Sequence, residues 1–246
     1  MIVYGHRGAR GEAPENTIAG ALHAVSRGVR HLEIDLRLSS DGQLVVIHDT
    51  GLKRTTGTKG KVAKRSASEL AKMDARASGA PWPNKRHTGI PTLSVLVKAA
   101  PEIKLWQLEL KGGGKRYNAA LADAVVAWLE QHSSQRGASP YIVTSSEPNL
   151  LTAVKQQRPN QVTGFVSTTT DPSAVLAACD CEYLIAQWTT LSSAAQVWQW
   201  QKTGVHISAW TVNDASVIEN LYRLGVDSVI TDYPSMALPL IASLGS

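Results

Sequence analysis

Short apolar runs recur along this chain at nearly even intervals, and most are followed by a stretch whose apolar residues fall three or four positions apart. The first pattern is that of a buried strand, the second that of a helix with one face against a core. Residues 2–6, 31–36, 44–48, 105–111, 141–144, 162–166, 183–188, 206–212 and 228–231 read as strands. Helices are predicted over 15–26 (Ile18, Leu22, Val25 inward), 93–99, 118–132 (Leu121, Val125, Leu129 inward), 149–157, 194–202 and 216–224. A strand–helix repeat over the whole length predicts an α/β fold, a parallel sheet closed as a (β/α)8 TIM-type barrel.

Two places depart from that rhythm. Nine strands is one more than such a barrel needs, and the link from 36 to 44 carries Asp41-Gly42, a hairpin signal, and no helix. A chain folding back there would set Glu33 opposite His48. The stretch from about 50 to 88 is rich in Gly, Lys, Arg, Ser and Pro, and is too long for a bare loop. It is expected as a small insertion over the C-terminal rim, with one short helix at 66–73 that turns Leu70 and Met73 inward. The expectation is one barrel domain over 1–246.

Composition narrows the class. Apolar residues make up 43% and charged residues 18% of 246, so the chain is globular. No apolar run is long enough to span a bilayer, and the first residues enter a strand without a basic-then-apolar leader. A cytoplasmic protein without stable membrane insertion is the expectation. The net charge of +5 is concentrated around Lys53, Arg54, Lys59, Lys61, Lys64 and Arg65. That cluster reads as a solvated loop or as a field for anionic substrates. No aromatic-basic pattern points to nucleic acid. Cys179 and Cys181 are too close for an ordinary disulfide and read as buried thiols.

The chemistry gathers at strand ends. His6-Arg7 closes the first strand and His48-Asp49 the third; Glu33 and Asp35, two apart on a strand, point to one face. Two desolvated acids repel unless a cation joins them. Glu109 offers a third oxygen donor, and three carboxylates without a thiol suit a hard divalent ion, Mg²⁺ or Ca²⁺. Salt bridges to Arg7, Arg37 or Lys111 are the structural alternative. Two imidazoles on opposite sides of a phosphorus would serve as base and acid. Arg7 and Lys111 would neutralise phosphate charge. Trp210 reads as core packing or as substrate contact, and Gly112-Gly113-Gly114 as a strand-to-helix turn.

These residues, taken in order, resemble the glycerophosphodiester phosphodiesterase family: His6-Arg7-Gly8, Pro14-Glu15-Asn16-Thr17, Glu33-Ile34-Asp35, His48-Asp49, Arg54-Thr55-Thr56-Gly57, Ile90-Pro91-Thr92-Leu93, Glu109-Leu110-Lys111, Trp210-Thr211-Val212-Asn213 and Ile230-Thr231-Asp232-Tyr233-Pro234. The resemblance implies a TIM-type barrel and metal-dependent hydrolysis of small glycerophosphodiesters to glycerol 3-phosphate and an alcohol. It implies His6 and His48 as the catalytic pair and Glu33, Asp35 and Glu109 as metal ligands. Arg7 and Lys111 would hold phosphate, Trp210 would lie against the glycerol or headgroup, and Glu15 and Asn16 would brace the first loop. One departure is Ser145-Ser146-Glu147, where the family often has Ser-Phe. A sphingomyelinase-D-like enzyme acting on intact lipids and a non-catalytic phosphodiester-binding module are the rival expectations. Oligomeric state stays open.

Overall fold

Eight parallel strands close into a ring with helices outside it, in a computed structural model that describes residues 1–132 and 140–245. The strands are β1 (Ile2–His6), β2 (His31–Leu38), β3 (Leu44–Val46), β4 (Leu105–Leu110), β5 (Tyr141–Ser145), β6 (Thr163–Ser167), β7 (Tyr183–Gln187), β8 (His206–Trp210) and β9 (Ser228–Thr231). Around the ring the order is β1, β2, β4, β5, β6, β7, β8, β9, and β9 pairs back to β1. The fold is a (β/α)8 TIM barrel.

The supernumerary strand is β3, which lies outside the parallel ring. It pairs antiparallel with the overhanging end of β2, in the register Leu36↔Val46, Arg37↔Val45 and Leu38↔Leu44. The Asp41-Gly42 turn is therefore a hairpin, with Gly42 at φ 73. Its register corrects the expected pairing. The Ile47 N–H donates to the Asp35 carbonyl at 3.0 Å, so the returning chain reaches His48 beside Asp35 rather than opposite Glu33.

Period-two alternation divides each strand between two cores. On β2, Leu32, Ile34 and Leu36 face outward and pack with Ala21, Ala24, Leu93, Leu96 and Leu121 of the surrounding helices. Glu33 and Asp35 face the barrel interior. Each fully buried Leu or Ile contributes roughly 1.5–3 kcal/mol, so the scaffold can hold two inward acids. Deeper inside, Tyr4, Val166, Ile185 and Ile230 fill the ring.

Helix limits follow local chemistry. The first helix begins at Ile18, later than the pattern at 15 suggests, because Thr17 accepts from Gly20 N–H as N-cap and Asn16 is left-handed at φ 55. Between residues 50 and 88 there are two short α-helices, Lys53–Thr56 and Ala67–Ala71, with a 3-10 turn at Val62–Lys64 between them; the second helix is opened by a Ser66/Glu69 capping box. Leu52, Val62, Leu70 and Ile90 close a small core against Val45 and Ile47, with Met73 partly buried on it. Helices Ser173–Ala178 and Pro234–Leu244 were not legible in the periodicity, being short and alanine-rich or opened and interrupted by proline. Among the described residues, no helix is long and apolar enough to cross a membrane.

Candidate active site

The C-terminal ends of β1, β2 and β4, with the residues after β3, converge on one mouth. At the end of β1 the chain turns back sharply. A Cβ on Gly5 would lie 2.0 Å from the Gly8 carbonyl oxygen, so only glycine fits there. Arg7 is left-handed, φ 50, a conformation that costs on the order of 1 kcal/mol for a residue with a Cβ. The return is directional: the Arg7 N–H donates to Glu33 Oε2 at 3.1 Å.

His6 is buried, and its Nδ1 lies 2.6 Å from Asp232 Oδ1. Arg7 Nε donates to His6 Nε2 at 3.2 Å. These partners assign the proton to Nδ1 and the lone pair to Nε2. His48 is built alike, with Nδ1 2.8 Å from Asp49 Oδ1, while its Nε2 has no partner among the described residues. Burial, reinforced by Lys111 and Arg7, lowers the His48 imidazole from its ordinary value despite the opposing pull of Asp35. Both rings therefore hang from a carboxylate by Nδ1.

The acids cluster below. One oxygen from each of Glu33, Asp35 and Glu109 lies within 4.8 Å of the others. Two cations stand against them. Lys111 Nζ is 2.6 Å from Glu109 Oε1 and 3.1 Å from Asp35 Oδ1, and Arg7 Nε is 3.1 Å from Asp35 Oδ2. Asn16 Nδ2 also donates to Asp35 Oδ2, at 2.8 Å. Arg37 takes no part; it donates to the carbonyls of His48 and Lys111.

The positive charge is not enough for three acids. Burial, then Asp35 and Glu109, drive Glu33 well above the usual carboxylate range. Burial raises Glu109 as well, against the pull of Lys111. Asp35 stays far below that range, because Lys111 and Arg7 outweigh its burial. Glu33 Oε1 is buried with no hydrogen-bond partner, and Asp35 Oδ1 accepts no hydrogen bond. An orphaned carboxylate oxygen, Glu33 Oε1, in an all-oxygen cluster fits a hard divalent cation.

A cavity of about 370 Å³ opens above the cluster. His6, Arg7, His48, Glu109 and Lys111 form one side, and Ser146, Phe165, Ser167, Thr169 and Trp210 the other. Trp210 is half-buried and donates through Nε1 to the Ile185 carbonyl at 2.9 Å, which fixes its ring at the wall. Ser146, where the family often carries an aromatic residue, leaves that part of the wall small and polar.

Glu15 is a buried hub rather than a loop brace alone. It meets Arg7 at 3.0 Å, Arg10 at 3.3 Å and Arg54 at 2.7 Å. Arg54 also grips Asp49 at 2.7 Å, and Arg10 lies 3.7 Å from Asp232. The sequence reading gave no role to Asp232 or Arg54. The signal for Asp232 was available, since it stands just past the end of β9 as His6 stands at the end of β1. For Arg54 the signal was the Arg54-Thr55-Thr56-Gly57 motif, but its partners were not legible, because periodicity does not encode where the segment after β3 meets the loop after β1.

A parallel barrel whose mouth gathers three acids, two carboxylate-backed imidazoles and two cations defines a class: a barrel hydrolase for phosphate esters. Comparison with known proteins narrows it. Residues 6–236 match the glycerophosphoryl diester phosphodiesterase family, and the chain belongs to that family. It is a phosphodiesterase by class, and hydrolyses glycerophosphodiesters. A glycerophosphodiester phosphodiesterase of Caldanaerobacter subterraneus is 29% identical, with 99% of each chain covered. A phosphodiesterase from Oleispira antarctica, solved in complex with the product sn-glycerol-3-phosphate, superposes with a TM-score of 0.87 at 30% identity, covering 98% of this chain and 97% of that one. A rat lysophospholipase D is 26% identical, over 94% of this chain and 82% of its own length.

Proposed function

We propose that this chain hydrolyses glycerophosphodiesters with small headgroups, such as glycerophosphocholine and glycerophosphoethanolamine, to sn-glycerol 3-phosphate and the free alcohol, as one barrel domain with residues of about 50–88 as an insertion at its rim. The observation that carries this reading is the pair of imidazoles, each held at Nδ1 by a carboxylate, lining one cavity with Arg7, Glu109 and Lys111. Glu33, Asp35 and Glu109 would hold a divalent ion, Mg²⁺ or Ca²⁺. When bound, that ion supplies a Lewis acid for the phosphate and offsets charge that builds in the transition state.

The protein's own groups do the rest. Lys111 and Arg7 bind and orient the non-bridging phosphate oxygens. His48 offers an Nε2 without a partner, so it takes the proton of the attacking hydroxyl, and Asp49 stabilises the imidazolium that results. His6, held at Nδ1 by Asp232, acts in the form that carries a second proton on Nε2 and gives that proton to the leaving alkoxide. The nucleophile is water, or the glycerol 2-hydroxyl by way of a cyclic phosphate; trapping the cyclic ester distinguishes them. Trp210 closes the wall beside the glycerol or headgroup.

The test is release of glycerol 3-phosphate from glycerophosphocholine with and without EDTA, followed by restored Mg²⁺ or Ca²⁺. Release that disappears with chelator and returns with one ion is the expected result. No release from any glycerophosphodiester under either ion would overturn the reading.

A further inference from the structure

Residues 50–88 hold ten of the chain's 25 lysines and arginines but only two of its 20 acids. Without this segment the chain would carry a net negative charge. Three of the ten cations are neutralised locally: Arg54 by Glu15 and Asp49, Arg65 by Glu69 and Arg76 by Asp74. Both acids of the segment are used up in those pairs. Lys53, Lys59, Lys61 and Lys64 are exposed and have no carboxylate within ion-pair distance among the described residues.

The backbone brings the stretches that carry them together. Gly51 bridges Lys61 antiparallel, Leu52 N–H donates to the Gly60 carbonyl and Val62 N–H to the Thr50 carbonyl. That tight fold turns Leu52 and Val62 into the small core beneath. The lysines flanking them are left on the outer surface. None of the four lines the catalytic cavity.

We propose that this basic face docks the enzyme on an anionic phospholipid bilayer, with the catalytic mouth close to the lipid surface. Four clustered lysines without counter-charges are what a plane of anionic headgroups can engage at once, at about 1 kcal/mol for each cation near the surface. A single substrate phosphate cannot use them, and the cavity has its own cations for that purpose. The position of the segment sets the orientation. It leaves the barrel at His48, and Arg54 ties it to Glu15 of the loop after β1, so it sits on the catalytic end. The same end exposes two large aromatic side chains, Trp188 after β7 and Tyr233 after β9. Aromatic rings with a polar edge are suited to the headgroup region. Nucleic acid is disfavoured, because bases need stacking platforms and the segment's one aromatic residue, Trp82, stands edge-on against His23.

Docking also fits the proposed reaction, whose substrate class is what remains of a phospholipid after both acyl chains are removed. That link rests on the function proposed above; the binding itself does not.

The test is co-sedimentation of the full chain with vesicles of phosphatidylcholine alone, and of phosphatidylcholine with about one third phosphatidylglycerol. The expected result is binding to the anionic vesicles only, lost on raising salt from about 0.1 M to about 0.5 M. Replacing Lys53, Lys59, Lys61 and Lys64 together by Gln should weaken it by roughly a hundredfold or more. Turnover of a soluble glycerophosphodiester should not change, since none of the four touches the site. No binding to anionic vesicles, equal binding to neutral ones, or full binding by the quadruple variant would overturn the proposal. So would tighter binding to a single-stranded oligonucleotide than to the vesicles. Unchanged vesicle binding with a severalfold fall in kcat/KM on soluble substrate would make the patch a steering field instead. The vesicle measurement needs no turnover, so it can fail or succeed independently of the proposed reaction.

Discussion

Changing Asp232 to Asn should cost far more activity than the loss of one atom's charge suggests, and the local bonding says why. Asp232 accepts on both oxygens, from His6 Nδ1 at 2.6 Å and from Asn213 Nδ2 at 2.8 Å. Asn213 cannot simply turn its amide over, because its Oδ1 already accepts from the Asp232 N–H at 2.9 Å. An asparagine at 232 therefore points its NH2 at one donor or the other. If it faces Asn213, a buried donor–donor contact costs about 1–3 kcal/mol. If it faces His6, the ring must shed its Nδ1 proton and carry it on Nε2, where Arg7 Nε is also donating. The acid form, which needs a proton on both ring nitrogens, is then blocked at Nδ1. We expect kcat for glycerol 3-phosphate release to fall by roughly two to four powers of ten, the range of acid–base catalysis itself. The measurement is steady-state turnover across pH, with thermal unfolding in parallel. A purely structural role would lower the melting temperature and leave the shape of the pH profile intact. A folded Asp232→Asn enzyme within threefold of the parent, with an unshifted profile, would refute the reasoning.

Four further outcomes follow from the same geometry. His48→Ala should lower turnover by about two to four powers of ten while leaving the fold intact, since the ring is partly exposed and bonded only to Asp49; unchanged rates would remove it from the chemistry. Glu109→Gln should raise the divalent-ion concentration needed for half-maximal activity, and wild-type metal dependence would show that Glu109 is not a ligand. Arg54→Gln should destabilise the protein at neutral pH by about 2 kcal/mol. Burial raises Glu15, but Arg54 and Arg7 outweigh it and hold it below its ordinary value of 4.5, so its pairing stabilises above that pH and is lost as pH falls through the folded value. The stability gap between parent and variant should therefore shrink on acidification, and denaturant melts showing a constant or widening gap would contradict this. Cys181, pushed up to about 12 mainly by burial, and the buried Cys179 should react with a thiol reagent only after unfolding; rapid labelling of both in the native protein would refute that.

Much of the barrel is legible in the sequence because parallel strands buried on both sides must be apolar, and the few polar residues inside them stand out. Glu33 and Asp35 interrupt Leu32, Ile34 and Leu36 at period two, which is enough to infer that they share a face. What periodicity does not carry is register. The expected neighbour of His48, Glu33, lies two residues from the observed one, Asp35, because hairpin pairing is set by the turn and by the overhang of β2 beyond the ring. The first helix starts later than its periodicity for a related reason: Thr17 decides the start by capping and Asn16 by a left-handed backbone, whereas the helix expected from Ser66 is capped by that residue. The partners of Glu15 were out of reach altogether. Three arginines from two stretches meet it only because the loop after β1 and the segment after β3 fold over the same rim.

That hub gives the site a property its separate parts lack. The two histidines belong to different elements, yet a continuous run of ion pairs joins their supports. It leads from His6 through Asp232, Arg10, Glu15, Arg54 and Asp49 to His48. The weakest step is Arg10 to Asp232 at 3.7 Å, on a partly exposed side chain, and the strongest are the paired bonds of Arg54 to Glu15 and Asp49. Rigidity is therefore unequal. His48 is tied through two bidentate contacts to a buried carboxylate, whereas His6 is held by Asp232 and reaches the same carboxylate through single bonds of Arg7. Since Arg54 comes from residues 50–88, any displacement of that segment is felt first at Asp49 and His48, and at His6 only through Glu15 and Arg7. A surface event on the segment thus has a short physical route to one imidazole of the pair, through bonds that act by orientation rather than by contact with the phosphate.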